Sequence, residues 1–160
     1  GEEESQQIGR VEAEMRDAVL SRLANVDVII KAAAPTDYRA SAIAPTKIKK
    51  TGRALTLAFT ENPDILMDVA AQKKKSQVVV GFAAETNDVV KNARAKLERK
   101  RLDLCVANRI GEEGAGFAIE TNRVTFIDAH GHEELPLLSK TEVAHRLLDR
   151  VASLLQLKKK

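Results

Sequence analysis

An acid, an arginine and a run of lysines follow an apolar stretch in the segment "AAAPTDYRASAIAPTKIKK", residues 32–50. A carboxylate such as Asp37 can bind Mg²⁺ or a sugar hydroxyl, and it can also be a plain loop acid paired with Arg39. The lysines of "KIKK", which starts at Lys47, carry mobile point charges that suit a polyphosphate, or they simply cover an exposed loop. The segment predicts a site for a phosphate-bearing ligand, with the loop interpretation left open.

Other positions carry residue types that would suit the same ligand. The sequence "NPD" at 62–64 is typical of a helix start, where free N–H groups and the positive end of the helix dipole favour an anion. Phe82 follows a glycine near a strand end and can lie against a nucleobase or pack in the core. Lys96 and Lys100 are four residues apart on one predicted helix face, which is also typical of a solvated surface.

Other kinds of site are not indicated by the sequence. His130, His132 and His145 do not form a metal-binding set, because no cysteine cluster accompanies them. The single cysteine, Cys105, lies in the apolar stretch "LDLCVAN" and is predicted to be a buried structural thiol. One cysteine cannot form an intrachain disulfide, which favours a reducing, cytoplasmic location. There is no G-x-x-x-x-G-K-[ST] phosphate loop, and "GEEGAG" is not the dinucleotide-binding fingerprint.

Composition narrows the function classes further. Hydrophobic residues make up 44% of the 160 residues and charged residues 31%, so the chain can bury a core and solvate its surface. Aromatic residues make up only 3% and the net charge is +3, which argues against a nucleic-acid partner that stacks on aromatic rings. The longest wholly apolar run, "VVVGFAA", is far shorter than the roughly 20 residues of a membrane-spanning helix, so no membrane partner is expected. The lysine runs at 73–75 and 158–160 are interpreted as solvated charge.

Apolar patterns predict the elements that must position these residues. Near-continuous apolar stretches predict three buried strands, "VDVIIKAAA", "SQVVVGFAA" and "LDLCVAN", of the kind covered on both faces in a parallel sheet. "ALTLAF" alternates and predicts a further strand, and "RVTFIDAHGHEELPL" predicts a hairpin. Helical spacing begins at Val11, whereas residues 1–10 have no apolar period and are expected to fray.

Helix starts are predicted from capping residues. Asn62, followed by a proline, is predicted to cap the helix "DILMDVAAQKK". Thr86 or Asn87 is expected to cap "DVVKNARAKLERKR". Ser139 opens the last helix with Glu142 three residues on, as in a capping box.

The order of these elements predicts an α/β fold: a three-layer, Rossmann-like, mostly parallel sheet with helices on both faces and a C-terminal β-hairpin plus helix. We expect one domain over residues 11–157, followed by a basic tail at 158–160. Ligands of open parallel sheets bind outside the carboxyl ends of the strands. Here those ends carry "PTDYR", "ETN" and Asn108, so their polar side chains are expected to converge on one crevice.

Several segments occur in the order and at the spacings of one protein family. They are "AAAPTDYRA", "KIKK", "NPDIL", "VVGFAAET", "A-x-x-K-x-x-x-K", "D-L-x-x-A-N" and "LPLLSKTEVAHRLLD". Any one of them is weak, but the ordered set is specific. It resembles bacterial phosphopantothenate–cysteine ligase, the ligase half of the coenzyme A biosynthesis flavoprotein, over residues 11–152.

The resemblance implies a CTP-dependent ligase. In that family the carboxylate of 4′-phosphopantothenate is activated by CTP, giving an acyl-cytidylate and pyrophosphate, and the amine of L-cysteine then displaces CMP. The family also implies Mg²⁺ and a homodimer joined by crossing strands, for which "ALTLAF" and the hairpin are candidates if they are not plain edge strands. A flavin-dependent decarboxylase is expected to be fused or associated. The alternatives are a nicotinamide-dependent oxidoreductase and a non-catalytic nucleotide-binding fragment.

The resemblance also implies roles for individual residues. Lys47, at the start of "KIKK", would be the catalytic lysine that assists formation or turnover of the acyl-cytidylate. Asp37 would contact the nucleotide or its metal, and Phe82 would lie beside the cytosine. The two lysines of the "A-x-x-K-x-x-x-K" helix would reach phosphate. The nucleotide contacts that the resemblance implies are Lys31, Ala32, Ala33, Ala34, Asp37, Lys47, Pro63, Asp64, Ile65, Leu66, Phe82, Lys96, Lys100 and Asn108.

One segment of the family pattern has no counterpart in this sequence. The family begins with a strand and a glycine-rich "SNxSSGxMG" segment, which supplies an asparagine and an arginine for the acyl intermediate. We therefore expect a ligase domain truncated at its N-terminus, which binds nucleotide but as given lacks residues that the family uses to complete the reaction. The decarboxylase half is absent as well, so no FMN is expected.

Overall fold

The computed structural model describes residues 2–42, 44–50, 52, 54–111 and 119–159, with the backbone alone for residues 2–11. The helices are α1 (Glu2–Arg22), α2 (Ile65–Gln72), α3 (Val89–Arg99) and α4 (Lys140–Lys158). The strands are β1 (Val28–Lys31), β2 (Tyr38–Ala40), β3 (Phe59–Glu61), β4 (Val78–Glu85), β5 (Leu104–Arg109), β6 (Thr121–Asn122), β7 (Val124–Asp128), β8 (Gly131–Glu134) and β9 (Leu138–Ser139).

A five-stranded sheet with the order β1-β4-β5-β7-β8 forms the centre of the molecule. β1, β4 and β5 run parallel to one another, and the hairpin β7–β8 joins antiparallel at the β5 edge. The three apolar stretches were predicted to be buried parallel strands. The parallel pairing is confirmed, and β4 and β5 are buried, but β1 lies at the edge of the sheet and is only partly buried, with Ile30 exposed. The hairpin is confirmed too, and its turn is held by the Asp128 carboxylate, which accepts hydrogen bonds from the backbone N–H groups of His130 and Gly131.

Helices cover both faces of the sheet, so the three-layer prediction is confirmed. Successive residues of β4 point to opposite faces. Val79 packs in the apolar cluster under α1, α2 and α3, whereas Val78 and Val80 pack in the cluster under α4. Each fully buried valine of this kind contributes about 1.5–3 kcal/mol to the stability of the fold.

The last helix follows the sequence prediction. Ser139 and Glu142 form a reciprocal capping box at the start of α4. Val143, Leu147 and Val151 recur at helical spacing and are buried against the sheet. Burial of this apolar stripe holds α4 on the face of the sheet opposite to the other three helices.

The predicted strand "ALTLAF" is mostly wrong. Only Phe59 of it lies in a strand, the short β3, and residues 54–58 have no regular structure. β3 pairs with β2 in a ribbon separate from the main sheet. The alternating side chains Leu55, Leu57 and Phe59 are exposed, because no other described part of the chain covers them. Alternation indicated an extended backbone with one apolar face, but it could not supply a sheet for that face to cover.

The starts of the first three helices differ from the sequence prediction. α1 begins at Glu2, in the segment that we expected to fray, because glutamate and glutamine favour a helix even without an apolar period. Asp64, rather than Asn62, caps α2 and accepts hydrogen bonds from two backbone N–H groups. The N-cap position of α3 is Asp88, and neither Thr86 nor Asn87 caps the helix as predicted. Asp88 has a left-handed φ of 47°, and its side chain makes no capping hydrogen bond.

Several lysines of the runs at 73–75 and 158–160 were predicted to be solvated, but they form ion pairs or hydrogen bonds within the protein. Lys158, which was assigned to a basic tail, is the last residue of α4, and its Nζ lies 2.6 Å from a carboxylate oxygen of Asp103. Lys73 Nζ lies 3.0 Å from the same carboxylate, and Lys74 Nζ donates to the carbonyl of Ala24. Within the described ranges, none of the helices has the length and apolar character that a membrane crossing requires.

Candidate nucleotide site

A cavity of about 310 Å³ opens at the carboxyl edge of β1, β4 and β5. All but four of the residues predicted to contact nucleotide line this cavity. Pro35, Ala83 and Ala84 complete the wall without having been predicted. The predicted residues in the wall are Lys31, Ala32, Ala33, Ala34, Asp37, Leu66, Phe82, Lys96, Lys100 and Asn108.

The strand register explains why these distant segments meet. Lys31, the last residue of β1, pairs with Gly81 of β4, and Ala84 of β4 pairs with Asn108 of β5. The three parallel strands therefore end at one edge, where the last residues of the strands and the loop after β1 form one wall. The predicted convergence is confirmed for Asp37 and Asn108, but the "ETN" residues that end β4 and follow it do not line the cavity. The roles of the individual residues toward a ligand stay predictions.

Three ammonium groups face this cavity. Lys96 Nζ donates to the Phe82 carbonyl at 2.7 Å, and Lys31 Nζ donates to the Ala33 carbonyl at 3.2 Å. Lys100 Nζ lies 2.7 Å from the Asp64 carboxylate. The i, i+4 spacing places Lys96 of α3 and Lys100, the C-cap of that helix, on one side of it, and both line the cavity rather than a fully solvated helix face.

The electrostatics of the cavity favour a negatively charged ligand. Burial lowers the pKa of Lys96, and the nearby charge of Lys100 lowers it further. Burial and the charges of Lys100 and Lys96 likewise lower the pKa of Lys31, while Asp64 and Asp37 partly oppose the effect. Ammonium groups that repel one another in a partly dry pocket are stabilised when an anion binds among them.

Asp64 holds the start of α2 and also touches the lysine cluster. Its Oδ1 accepts hydrogen bonds from the backbone N–H groups of Leu66 and Met67, and its Oδ2 is paired with Lys100. Burial would raise the pKa of Asp64, but the hydrogen bond and charge of Lys100 and the two N–H groups outweigh it and lower this pKa. The sequence predicted free N–H groups for an anion at this helix start. That prediction is wrong for Leu66 and Met67, whose donors Asp64 already occupies.

Four predicted residues lie outside the cavity wall. The Asp64 carboxylate pairs with Lys100, which does line the cavity. Pro63, the residue before Asp64, is exposed. Ile65 is buried and lines a neighbouring apolar pocket instead. Lys47 is exposed on the loop that follows β2.

Phe82 serves both of the environments that its sequence position left open. Phe82 is half-buried, its side chain packs against the apolar cluster under α4, and the residue also lines the cavity, where its carbonyl accepts from Lys96. Cys105 is fully buried as predicted, and burial raises the pKa of its thiol to about 11. A thiol with that pKa stays protonated near neutral pH, which agrees with a structural role.

Asp37 lies exposed at the rim of the cavity. In the described part of the chain its carboxylate is not paired with Arg39, which donates to the Glu61 carbonyl and to the Asn62 side chain. Among the described residues, no group of three or more His, Cys, Asp or Glu is placed to hold a metal by itself. A lone carboxylate fits Mg²⁺, which protein sites commonly bind through one or two carboxylates together with substrate phosphates.

Asn62 was predicted to cap α2, but its side chain instead forms hydrogen bonds to the loop at the rim of the cavity. Its Nδ2 donates to the carbonyl and hydroxyl oxygens of Thr36, and its backbone N–H donates to the Asp37 carbonyl. Its Oδ1 accepts from Arg39. These bonds fasten the loop that carries Asp37 to the segment before α2. Asp64 was the available signal, since Asp caps helices as well as Asn does and so leaves the earlier Asn for other bonds.

Comparison with known proteins connects this geometry to a family. The chain matches the family described as DNA/pantothenate metabolism flavoprotein C-terminal domain over residues 4–155. It is 44% identical over 143 residues to the coenzyme A biosynthesis bifunctional protein CoaBC of Bacillus subtilis (strain 168), and the match covers 89% of this chain and 35% of that protein. The chain thus spans about a third of the length of the curated relatives it matches.

Solved structures agree with this assignment. The crystal structure of the C-terminal domain of CoaBC superposes with a TM-score of 0.70 at 33% identity, covering 92% of this chain and 63% of that one. A Cab2 mutant in complex with phosphopantothenate-cysteine shares the fold, with a TM-score of 0.63 at 16% identity, covering 81% of this chain and 45% of that one. The predicted Rossmann-like architecture is confirmed. This chain belongs to the family of DNA/pantothenate metabolism flavoprotein C-terminal domains.

Proposed function

We propose that this chain is the phosphopantothenate–cysteine ligase part of a coenzyme A biosynthesis protein, joining 4′-phosphopantothenate to L-cysteine at the expense of CTP. The observation that carries the proposal is the lysine-lined cavity at the carboxyl edge of the sheet, built from the segments that resemble the ligase. Family membership supports it, as does the relative named as a bifunctional coenzyme A biosynthesis protein. The Cab2 neighbour, solved with phosphopantothenate-cysteine, supplies the fold alone.

The proposed reaction has two steps, and both require positioning and charge stabilisation rather than a covalent enzyme intermediate. A carboxylate oxygen of phosphopantothenate attacks the α-phosphorus of CTP, and pyrophosphate leaves. The cysteine amine then attacks the acyl carbon, loses a proton, and CMP leaves with the electrons of the acyl–phosphate bond. Positive side chains near the phosphates stabilise the charge that builds up on the leaving groups.

The residues of the cavity divide these tasks. Lys96 and Lys100 bind phosphate or nucleotide oxygens, and the half-buried ring of Phe82 lies beside the cytosine. Asp37 would hold a Mg²⁺ ion that accompanies the nucleotide, and the ion would neutralise phosphate charge. Lys47 lies on an exposed loop and would assist turnover of the acyl-cytidylate once that loop meets the bound substrates.

The proposal includes a homodimer and a fused or associated decarboxylase. The β2–β3 ribbon exposes Tyr38 and Phe59, and the segment before β3 exposes Leu57, an apolar surface that suits a contact between subunits. The relatives are named bifunctional and are much longer than this chain, which suits a second catalytic domain. A cytoplasmic setting agrees with the single, unpaired cysteine.

A thermal-shift panel tests the nucleotide specificity. The melting temperature of the 160-residue chain is measured with CTP, ATP, GTP and UTP, each with Mg²⁺, and separately with NADH. CTP at about a hundred times its Kd is expected to stabilise the fold by ~2.7 kcal/mol, and the other nucleotides less. Equal shifts from all four, or none, would contradict the proposal, and a shift with NADH alone would favour the oxidoreductase.

Two variants on α3 make the panel specific for the cavity. Lys96→Gln removes an ammonium group from the cavity wall, whereas Lys91→Gln removes an exposed one from the same helix. The CTP-induced shift should shrink in the first variant and stay unchanged in the second. If the CTP-induced shift in melting temperature shrinks equally in both variants, CTP binds through general surface charge.

A further inference from the structure

Lys31 differs from the other lysines of the cavity because it is supplied by the sheet rather than by α3. It is the last residue of β1 and pairs in register with Gly81, so the two residues share one face of the sheet. That face packs against α2 and α3, as the closeness of position 81 to Leu66 and Leu102 indicates. Lys31 therefore approaches Lys96 and Lys100 from the opposite wall of the cavity.

The partners of the three ammonium groups are unequal. Lys100 has a carboxylate partner in Asp64 at 2.7 Å. Lys96 and Lys31 donate to backbone carbonyls, which accept a hydrogen bond but do not neutralise a charge. The cavity wall thus holds three ammonium groups, Asp37 as a carboxylate, and no other ionised side chain among the described residues. Positive charge is left over in a partly dry pocket, and a ligand of opposite charge would offset it.

We propose that the Lys31 ammonium group binds a phosphate oxygen of the nucleotide directly, as a third cationic ligand opposite the two lysines of α3. The inference rests on the proposed function, because it assigns a contact within the same site. The resemblance to the ligase family implies only that the backbone of this strand end lines the nucleotide. An ammonium group has three donors, and the contact to Ala33 uses one of them at 3.2 Å, so donors remain for a ligand.

A polyphosphate suits this arrangement better than a single carboxylate does. Lys31 lies on β1, Lys96 on α3 and Lys100 at the C-cap of α3, so the ligand meets three ammonium groups supplied by different elements. A chain of phosphates offers several charged oxygens along its length, and each contact to an ammonium group is a charge-assisted hydrogen bond. Lys31 then also helps to select nucleotides by their number of phosphates.

Calorimetric titration with cytidine, CMP, CDP and CTP tests the contact. Lys31→Gln is expected to weaken binding of phosphorylated ligands about tenfold or more, since hydrogen bonds to charged groups contribute strongly, and to leave cytidine unchanged. The step of the series at which the loss appears identifies the phosphate. Lys31→Arg keeps the charge and should bind CTP nearly as tightly as the wild type. Lys91→Gln, exposed on α3, is the matched control and should bind like the wild type.

Proton uptake gives a readout that a merely structural role would not change. The charged groups that face Lys31 are Lys100 and Lys96 from α3, Asp64 from the start of α2, and Asp37 from the loop after β1. Burial and the two lysines lower the pKa of Lys31, so at alkaline pH part of the free protein lacks this proton. A bound phosphate stabilises the charged form, and CTP binding should therefore take up protons, less so in Lys31→Gln. Titrations in two buffers of different ionisation enthalpy measure the uptake.

The outcomes separate the inference from the proposed function. If the wild type binds none of the cytidine nucleotides, the proposed function fails and the contact fails with it. If the wild type binds CTP and Lys31→Gln binds it equally well, with unchanged proton uptake, the contact alone is overturned. A loss of cytidine binding together with CTP binding, unrescued by Lys31→Arg, would show a structural role and also overturns the contact.

Discussion

Gly81 illustrates, at the level of single residues, how tightly the floor of the cavity is packed. A Cβ atom at this position would lie 2.8 Å from Cδ1 of Leu102 and 3.1 Å from Cδ1 of Leu66. Both leucines are buried, and Leu66 also lines the cavity. The absence of a side chain at position 81 therefore lets α2 and the turn before β5 close onto β4.

Gly81→Ala is expected to lower the free energy of unfolding by about 1–3 kcal/mol, because buried side chains must shift to admit the methyl group. Gly131→Ala is the matched control: no atom lies within 4 Å of its added Cβ, and a change of less than about 0.5 kcal/mol is expected. Urea unfolding measures both. An equally small change in the two variants would mean that Leu66 and Leu102 move aside at no cost.

The sequence predicted which residues line the cavity better than it predicted the hydrogen bonds and ion pairs among them. Asp37 and Asn108 could be placed at one edge because they lie at or after the ends of predicted parallel strands, whereas Lys31 was implied by the family resemblance alone. The pairing of Asp64 with Lys100 could not be predicted, since it depends on how far apart α2 and α3 pack. Phe82 left two interpretations, and the residue lines the cavity while its side chain packs against the core.

At the level of elements, the loop after β1 is fastened to the start of α2 by the Asn62 side chain. We expect Asn62→Ala to lower the free energy of unfolding by about 1–2 kcal/mol, because hydrogen bonds to Thr36 and Arg39 are lost. It should also weaken CTP binding, because the loop that carries Asp37 is no longer held. Chemical denaturation and calorimetry measure the two effects.

Ser139→Ala serves as the control for that prediction. It removes the capping box of α4 on the other face of the sheet and should cost about 1 kcal/mol, with CTP affinity unchanged. Comparable stability losses with CTP affinity reduced only in Asn62→Ala would support a positioning role. Equal CTP affinity in both variants would reduce Asn62 to an ordinary stabilising residue.

Elements whose apolar residues pack against another part of this chain were predicted correctly from the apolar pattern. The apolar runs of β4 and β5 and the stripe on α4 are buried as predicted, whereas β1 is an edge strand that is only partly buried, with Ile30 exposed. "ALTLAF" failed because alternation indicates an apolar face but not whether the chain itself covers it. The start of α1 failed for the converse reason, since polar helix formers extend a helix without leaving an apolar period.

At the level of the whole molecule, the carboxyl and amino ends of the parallel strands have different roles. The carboxyl edge opens into the lysine-lined cavity, whereas the amino edge is closed around the Asp103 carboxylate. That carboxylate accepts a hydrogen bond from the Val79 backbone N–H and pairs with Lys73 and Lys158. It joins the end of α2, the end of α4 and two strands. Lysine runs that read as solvated charge in sequence thus hold the layers together, a use that no local pattern reveals.

Asp103→Ala is expected to lower the free energy of unfolding by about 3 kcal/mol, because it leaves two partly buried ammonium groups and a strand N–H without their partner. Asp149→Ala, an exposed acid on α4, should change stability by less than about 0.5 kcal/mol. Both variants should bind CTP like the wild type at temperatures where they are folded, since the cavity lies at the opposite edge of the sheet. Denaturant unfolding and calorimetric titration provide the measurements. A fall in CTP affinity in folded Asp103→Ala would mean that packing at the amino edge sets the geometry of the lysines at the carboxyl edge.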